Sequence, residues 1–295
     1  PYRRQRQMCI RDSIIGSEGN GIYGAAFNIY NIMLVLSSYG LPMAVSKLVS
    51  ARFTKKRYKS AAKVLRCSLM VAVCTGGIAA LLVFFGASFI ENVIYGGGLP
   101  GLAVPLRILA PTIFLVAILG VIRGFFQGQS TMIPTAVSQI LEQIVNAIVS
   151  IAAGYGMMKA FASSPDVAAY GAAGSTLGTA MGALTAVLFM GFLYAVYTPT
   201  FNRLKRKDRH TENQSTGQIC KIIIYTMIPI ILGQTFYQIS ALIDDVMFSN
   251  IMVGRDITKS ISMDLGNFSS SYSLLIGIPQ GAVSYTHLTL PTIRL

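Results

Sequence analysis

Apolar residues occur in long uninterrupted runs, and the runs are separated by short polar stretches. Six runs are complete and a seventh ends near Val283. About 20 apolar residues in a helix are enough to cross a hydrocarbon core of roughly 30 Å. Only 12% of the residues are charged and the mean hydropathy is +0.58, whereas soluble domains carry about 25% charged residues. The pattern predicts an all-α, polytopic membrane helix bundle with complete spans at 22–41, 67–90, 102–122, 133–157, 167–196 and 222–248.

The fourth run carries a polar stripe. Its members recur at steps of three and four residues, which places them on one helix face: Thr135, Gln139, Glu142, Asn146 and Ser150. Glu142 lies about 14 Å along the helix from Ile133, close to the middle of a membrane. An ionisable group at that depth faces other helices or a wet cavity. We expect Glu142 to bind a proton, a cation or substrate. The alternative is a protonated carboxyl that bonds to a neighbouring helix, with Gln139 and Gln143 as further interhelical contacts.

Two aspartates near the end of the sixth run form a second candidate. Gln234, Gln238 and Asp245 share one helix face, and Asp244 shares the next face with Tyr237. We expect these acids to line a cavity; the alternative is a surface acid at headgroup level. Metal-dependent prenyl transfer would need a second acidic cluster with metal spacing, and the sequence has none.

Two arginines belong to the third run. Arg107 lies between Pro105 and Pro111, and it either pairs with an anionic substrate group or extends to the interface. Arg123 lies at the end of the same run. It is expected to be either a functional cation or an ordinary arginine at a helix C-terminus.

Basic residues predict the topology. The formal net charge of +13 would suggest nucleic acid in a soluble protein, but here the basic residues lie in short loops. The loops 47–66, 123–131 and 203–221 hold fifteen basic residues, against three in 91–101, 158–166 and 249–270. The first group is therefore expected in the cytoplasm. The run 47–66 is expected to lie against anionic lipid, or alternatively to capture a phosphorylated lipid.

The domain organisation follows from the same pattern. The ends, 1–13 and 284–295, fit neither apolar neighbour and are interpreted as non-native tails. Between them we predict a first lobe at 14–197, a basic inter-lobe loop at 198–221 and the start of a second lobe at 222–283. Gly40-Leu41-Pro42 and Gly277-Ile278-Pro279 indicate a repeat of the lobes, a common transporter plan with the substrate site between the lobes. The topology then requires one helix before the first span.

Several kinds of chemistry are disfavoured. Cys9, Cys67, Cys74 and Cys220 have neither zinc nor redox spacing. His210 and His287 lie in polar segments, so histidine-based metal catalysis is not expected. The glycine pattern of residues 19–24 formally matches G-x-G-x-x-G. A dinucleotide site requires a strand before such a pattern, so this stretch is interpreted as a flexible entry to a helix.

Several stretches resemble the polysaccharide-flippase branch of the multidrug/oligosaccharidyl-lipid/polysaccharide exporter superfamily, the branch of stage V sporulation protein B-like and lipid II flippase-like proteins. The stretches are IIGSEGNGIYG (14–24), YGLPMAVSKLVS (39–50), Arg123-Gly124 with Phe126-Gln127-Gly128, Pro134-Thr135-Ala136, Ser138-Gln139, Glu142-Gln143 and Leu242-Ile243-Asp244. The resemblance implies two lobes of a fourteen-helix fold, of which this chain would hold the second to seventh helices and part of the eighth.

The resemblance also implies alternating access around a central cavity and movement of undecaprenyl-linked precursors to the outer leaflet. Members often carry arginine where this chain has Asn146, so a pyrophosphate would be held by Arg107, Arg123 or Lys47, or the substrate differs. We expect a monomeric flippase of the bacterial cytoplasmic membrane that binds a lipid-linked glycan and anionic lipids, without nucleic acid, cofactor or metal. Coupling would come from H⁺, Na⁺ or the membrane potential. The alternatives are a cation-coupled multidrug exporter of the same superfamily and a membrane-embedded glycosyl- or prenyl-transferase.

Overall fold

A computed structural model describes the backbone of residues 2–164, 166–208, 215–253 and 263–264. It describes side chains in these ranges from residue 16 onward, except 237, 238, 240, 241, 252 and 253. The described elements are helical: α1 (Tyr2–Leu34), a π-turn (Val35–Tyr39), α2 (Gly40–Thr54), α3 (Tyr58–Phe89), a second π-turn (Ile90–Ile94), α4 (Ala103–Gln127), α5 (Ile133–Ala160), α6 (Val167–Lys207) and α7 (Thr216–Val253).

The predicted all-α membrane bundle is confirmed. Six described segments are long and apolar enough to cross a membrane, and they match the six complete apolar runs. The helices extend beyond these runs, because hydropathy marks only the part of a helix that lies in hydrocarbon. The stretch 47–66 is thus two helix ends joined at Lys55–Arg57 rather than a loop, and the predicted linker 198–221 is helical up to Lys207 and again from Thr216. Gly277-Ile278-Pro279 and the tail 284–295 lie outside the described residues.

The first span does not end at Pro42. A π-turn, Val35–Tyr39, precedes it, and α2 then continues to Thr54. Proline has no N–H to donate into the preceding turn, and π-turns occur mostly as single turns inside α-helices, as here. The hydroxyl of Thr75 on α3 lies 2.9 Å from the carbonyl oxygen of Ser37 inside this turn. A side chain of a neighbouring helix therefore satisfies a carbonyl at the irregular turn.

The glycine pattern of residues 19–24 lies inside α1, so its interpretation as a flexible entry is wrong. Asn20 and Ile22 are almost fully buried there, because this part of α1 packs into the bundle. The irregular point is Gly16, whose φ of 72° interrupts the helix. Residues 2–15 form a helical backbone before that break.

Glycines let two pairs of helices approach closely. On α4, an added Cβ at Gly124 would lie 2.6 Å from the carbonyl oxygen of Pro42, and one at Gly128 would lie 2.7 Å from Cβ of Val49. On α6, an added Cβ at Gly178 would lie 2.6 Å from the backbone nitrogen of Ser150. The glycine-rich α6 therefore packs closely against α5. The stretches 39–50 and 123–128 that carry the family resemblance pack against each other.

The three basic stretches lie at one end of the bundle. The rings of Phe53 (α2), Phe125 (α4) and Phe201 (α6) contact one another, with centroids 5.3–6.3 Å apart. The last turns of α2, α4 and α6 therefore meet there, and we call this the basic end. The second π-turn, the start of α4 and the end of α7 lie at the opposite end.

Helix α7 packs against the first half of the chain at both ends. Near the basic end, Ile219, Ile223 and Met227 share a buried cluster with Leu41 and Val45 of α2. At the opposite end, the hydroxyl of Ser249 donates to the carbonyl of Tyr95, and the amide of Asn250 donates to the carbonyl of Ile94.

Candidate functional site: an intramembrane arginine–glutamate pair

Glu142 forms an ion pair with Arg123. Nη2 of Arg123 lies 2.7 Å from Oε2 of Glu142, and the two side chains are 14% and 21% exposed. Nε of the same guanidinium donates to the hydroxyl oxygen of Ser138 at 2.9 Å, and that hydroxyl donates to the carbonyl of Thr135 at 2.8 Å. The carboxylate and the guanidinium thus form a charge-assisted contact. Residues from two turns of α5 orient this contact. The alternative prediction was that Arg123 is an ordinary cation at the end of a helix. That alternative does not account for these contacts.

The local fold explains why these residues meet. Helices α4 and α5 are joined by a short connection, 128–132, so they are antiparallel neighbours at the basic end. Arg123 lies four residues before the end of α4, and its long side chain reaches along α5. Ser138 and Glu142 are four residues apart and lie on one face of that helix. The guanidinium can contact both of them at once.

The partial burial of the ion pair raises the free energy that is needed to break it. Removing one member of a buried ion pair leaves an uncompensated charge and costs about 3–5 kcal/mol in typical cases; the remaining exposure here lowers that figure. The buried Tyr30 of α1 lies within electrostatic reach of Glu142. Three helices, α1, α4 and α5, therefore contribute polar groups to this part of the bundle.

The outer half of the predicted stripe has another role. The hydroxyl of Ser150 lies 2.8 Å from Oδ1 of Asn146 and 2.9 Å from the carbonyl of Ser175 on α6. Gly182 of α6 packs against the backbone of Glu142 and the Cβ of Asn146. Asn146 therefore lies in the α5–α6 contact, where an arginine side chain would meet the backbone of α6. Gln139 is exposed on α5.

The other predicted cations lie elsewhere. Arg107 is exposed in the second turn of α4 and donates to the hydroxyl of Ser88 on α3 at 2.9 Å. It is about 24 Å along α4 from Arg123, so the structure does not bring these two arginines together. Lys47 is exposed on α2.

The aspartates of α7 differ from each other. Asp245 is 8% exposed and accepts a hydrogen bond from the amide of Asn28 on α1, whereas Asp244 is exposed. Tyr95, whose carbonyl accepts from Ser249 of the same helix α7, is buried, and its hydroxyl has no hydrogen-bond partner among the described residues. The side chain of Gln238 lies outside the described residues.

Sequence reasoning missed three polar residues with defined contacts. Ser138 orients Arg123, and its position four residues before Glu142 was the available signal. Glu91 accepts the backbone N–H groups of Gly101 and Ala103 at 2.9 and 2.7 Å and so caps the start of α4. Asp208 accepts the N–H of Lys59 at 2.9 Å and caps α3. Carboxylates stabilise helix N-termini, but the partner helices of these two acids are not evident from the sequence.

In the part of the chain that the structure describes, six segments able to span a membrane and the ion pair among them define an integral, multi-pass membrane protein. The family model for polysaccharide biosynthesis proteins matches residues 7–294, and the chain belongs to that family.

Curated relatives cover parts of the chain. The lipid II flippase MurJ of Bacillus subtilis (strain 168) is 33% identical over 154 residues, which are 50% of this chain and 28% of that protein. Stage V sporulation protein B of the same organism is 30% identical over 178 residues, which are 60% of this chain and 32% of that protein. The chain thus spans about a third of the length of these two relatives.

A solved structure shares the fold. It is titled as the inward-facing conformation of a multidrug resistance MATE family transporter of the MOP superfamily. The TM-score is 0.63 at 15% identity, over 91% of this chain and 57% of that one.

Proposed function

We propose that the protein is a flippase of the bacterial cytoplasmic membrane. It moves an undecaprenyl-linked cell-wall or polysaccharide precursor between leaflets by alternating access, and it makes or breaks no covalent bond. The basic end faces the cytoplasm in this proposal, because fifteen basic residues lie in its three segments. The name of one curated relative, the lipid II flippase MurJ, supports a lipid-linked substrate.

The observation that carries the proposal is the Arg123–Ser138–Glu142 cluster. It places a guanidinium inside a membrane bundle, at a depth that a headgroup must pass. The planar fork of arginine binds phosphate and carboxylate with similar geometry. In this proposal a substrate phosphate competes with Glu142 for Arg123. Glu142 holds the guanidinium in place when no substrate is bound.

Lys47 is the second phosphate-binding candidate, because it is exposed on α2. Arg107 bonds to Ser88 near the opposite end and would meet the headgroup on its way out. The proposal also includes a glycan as the group carried on the lipid, an ion that couples transport, and a protein that acts as a monomer.

A charge swap tests the role of the pair. The native-length protein is expressed in a bacterium depleted of its own flippase, as wild type, Arg123→Gln, Glu142→Gln and the double variant Arg123→Glu/Glu142→Arg. We expect both single variants to lose complementation, with Glu142→Gln still folded. The double variant should regain stability and remain inactive, because the cation then projects from α5 instead of α4.

Complementation by the double variant would show that the pair is structural and would overturn its role in transport. Full complementation by Glu142→Gln would do the same. A wild-type protein that fails to complement but lowers drug accumulation would favour the multidrug exporter.

A further inference from the structure

Two basic segments that are far apart in sequence form one surface at the basic end. The N–H of Lys59, at the start of α3, donates to Oδ2 of Asp208, just after α6, across 149 positions of sequence. The rings of Phe53 and Phe201 stack with an interplanar angle of 3° and centroids 6.1 Å apart. The α2–α3 turn is therefore held against the C-terminus of α6.

This surface is strongly cationic. Its exposed members, which we call the basic patch, are Lys55, Lys56, Arg57, Lys59, Arg203, Arg206 and Lys207. Among the described residues of these two segments the acid is Asp208, which is 5% exposed and turned into the α3 contact. Its carboxylate therefore offers little neutralisation to a ligand that approaches from solvent.

The basic patch lies at the depth of a membrane interface. Beneath it are Tyr58 and Tyr197, which belong to the same aromatic cluster as Phe53 and Phe201. Aromatic side chains of this kind are enriched at the headgroup level of membrane proteins. The ammonium of Lys205 lies over the ring of Phe201 at 5.2 Å, as expected for a long side chain that covers apolar surface while its charge stays at the interface.

Membrane insertion does not explain the joining of the two segments. The orientation of a membrane protein depends on the number of basic residues in each loop. This effect does not require the loops to contact each other in the folded protein. The Lys59–Asp208 bond and the Phe53–Phe201 stack are properties of the folded state. They concentrate the charge of two loops on one site.

We propose that the basic patch is a binding site for the headgroups of anionic phospholipids in the adjoining leaflet. Lipid is favoured over a soluble acidic partner because α3 continues from the patch into an apolar, exposed face that includes Met70 and Val73, about 17–21 Å along the helix from Lys59. A phospholipid there places its phosphate on the patch and its chains along this face. The inference rests on membrane insertion alone and is independent of the proposed transport.

The test compares lipid compositions. The native-length protein is placed in nanodiscs of phosphatidylcholine, with or without phosphatidylglycerol, and retained lipids are measured by native mass spectrometry together with the unfolding temperature. We expect preferential retention of phosphatidylglycerol and a higher unfolding temperature. Each basic residue replaced by Gln should weaken the preference about five-fold at low ionic strength. Lys159→Gln, an exposed basic residue at the opposite end, is the matched control and should change neither readout.

The variant Asp208→Ala distinguishes two models. In one, lipid retention depends on the contact between the two segments; in the other, it depends only on the net charge of the surface. It removes a negative charge, so a purely additive surface would retain more phosphatidylglycerol. A site that depends on the Lys59–Asp208 bond would retain less.

Three outcomes overturn the proposal. One is unchanged retention when Lys55, Lys56, Arg203 and Arg206 are all replaced by Gln. Another is equal or greater retention by Asp208→Ala. The third is stabilisation by soluble polyglutamate in phosphatidylcholine discs without any effect of phosphatidylglycerol, which would identify a protein-docking surface instead.

Discussion

Ser138 is the residue that fixes the direction of the Arg123 guanidinium. It is fully buried, accepts from Nε of Arg123 and donates to the carbonyl of Thr135. Glu142 alone could hold an arginine in several rotamers, because a single Nη2 contact leaves the plane of the fork free to turn. The second contact at Nε restricts that rotation. The pair is therefore a three-residue arrangement rather than a two-residue one.

Ser138→Ala should destabilise the protein by about 1–3 kcal/mol, because it leaves a buried charged donor without its acceptor. The measurement is unfolding in micelles by denaturant. Thr185→Ala is the control, since that hydroxyl is exposed and bonds only to the Met181 carbonyl of its own helix. Equal effects of the two substitutions would contradict the orienting role.

The sequence could predict the members of this site but not its arrangement. Glu142 and Arg123 are identifiable because charges are rare inside apolar runs. Their pairing depends on how α4 and α5 are rotated about their axes. Asn28 and Asp245 pair across 217 positions, which no local pattern encodes. Asn146 shares the helical face of Glu142 by periodicity, but its hydrogen bond with Ser150 next to α6 could not be predicted from the sequence.

At the scale of elements, glycines determine how closely α5 and α6 approach each other. Glycines at four-residue steps on α6 lie against the backbone of α5 at Glu142, Asn146 and Ser150. The carboxylate of the ion pair is thus carried on a helix whose position is fixed by glycine packing. A shift of α5 away from α6 would move Glu142 relative to Arg123.

Gly178→Ala should separate these helices. The added Cβ would lie 2.0 Å from Oγ and 2.6 Å from the backbone nitrogen of Ser150, and overpacking of this kind typically costs about 1–3 kcal/mol. Gly191→Ala in the same helix is the control, because nothing lies within 4 Å of its added Cβ. It should be neutral or stabilising, since alanine favours helix by about 1 kcal/mol. The measurement is the midpoint of unfolding of each of the two variants.

Apolar runs predicted the number and order of the membrane-spanning helices. Their ends were not predictable in the same way. Helix α3 begins at Tyr58 because Asp208 caps its start, and α4 begins beside the carboxylate of Glu91. The span through Pro42 continues because a π-turn and Thr75 absorb the missing donor. Each of these ends depends on a partner from another helix.

At the scale of the whole molecule, the common end of the three basic segments allows a direct test of orientation. Single cysteines replace Arg57, Arg206 or Gly97 in a background without the native cysteines. We expect positions 57 and 206 to be protected from an impermeant reagent added outside intact cells, and position 97 to react. The reverse labelling pattern would place the basic end outside and contradict the proposed topology.

The contacts of α7 pose the remaining question, which is whether this helix moves with the first half of the chain. The predicted lobe boundary assigns α7 to the second lobe, yet Asp245 bonds to Asn28 of α1 and Ser249 bonds to the carbonyl of Tyr95. Alternating access between two lobes requires such contacts to open at one end in each cycle. If α7 belongs to the moving lobe, a covalent link between α1 and α7 at the opposite end must stop transport.

The variant Asn28→Cys/Asp245→Cys makes that link when a membrane-permeant oxidant is added, and a reductant removes it. We expect complementation or flipping by the native-length protein to be lost on oxidation and to return on reduction. The control is Gly76→Cys/Ala117→Cys, which joins α3 to α4 within the first half, where an added Cβ at Gly76 lies 2.7 Å from Cβ of Ala117; its oxidation should leave transport unchanged. Mass spectrometry confirms that both links form. Transport that survives the α1–α7 link would mean that α7 moves as part of the first half, and the boundary between the moving lobes would then lie after Val253 instead of before Thr216.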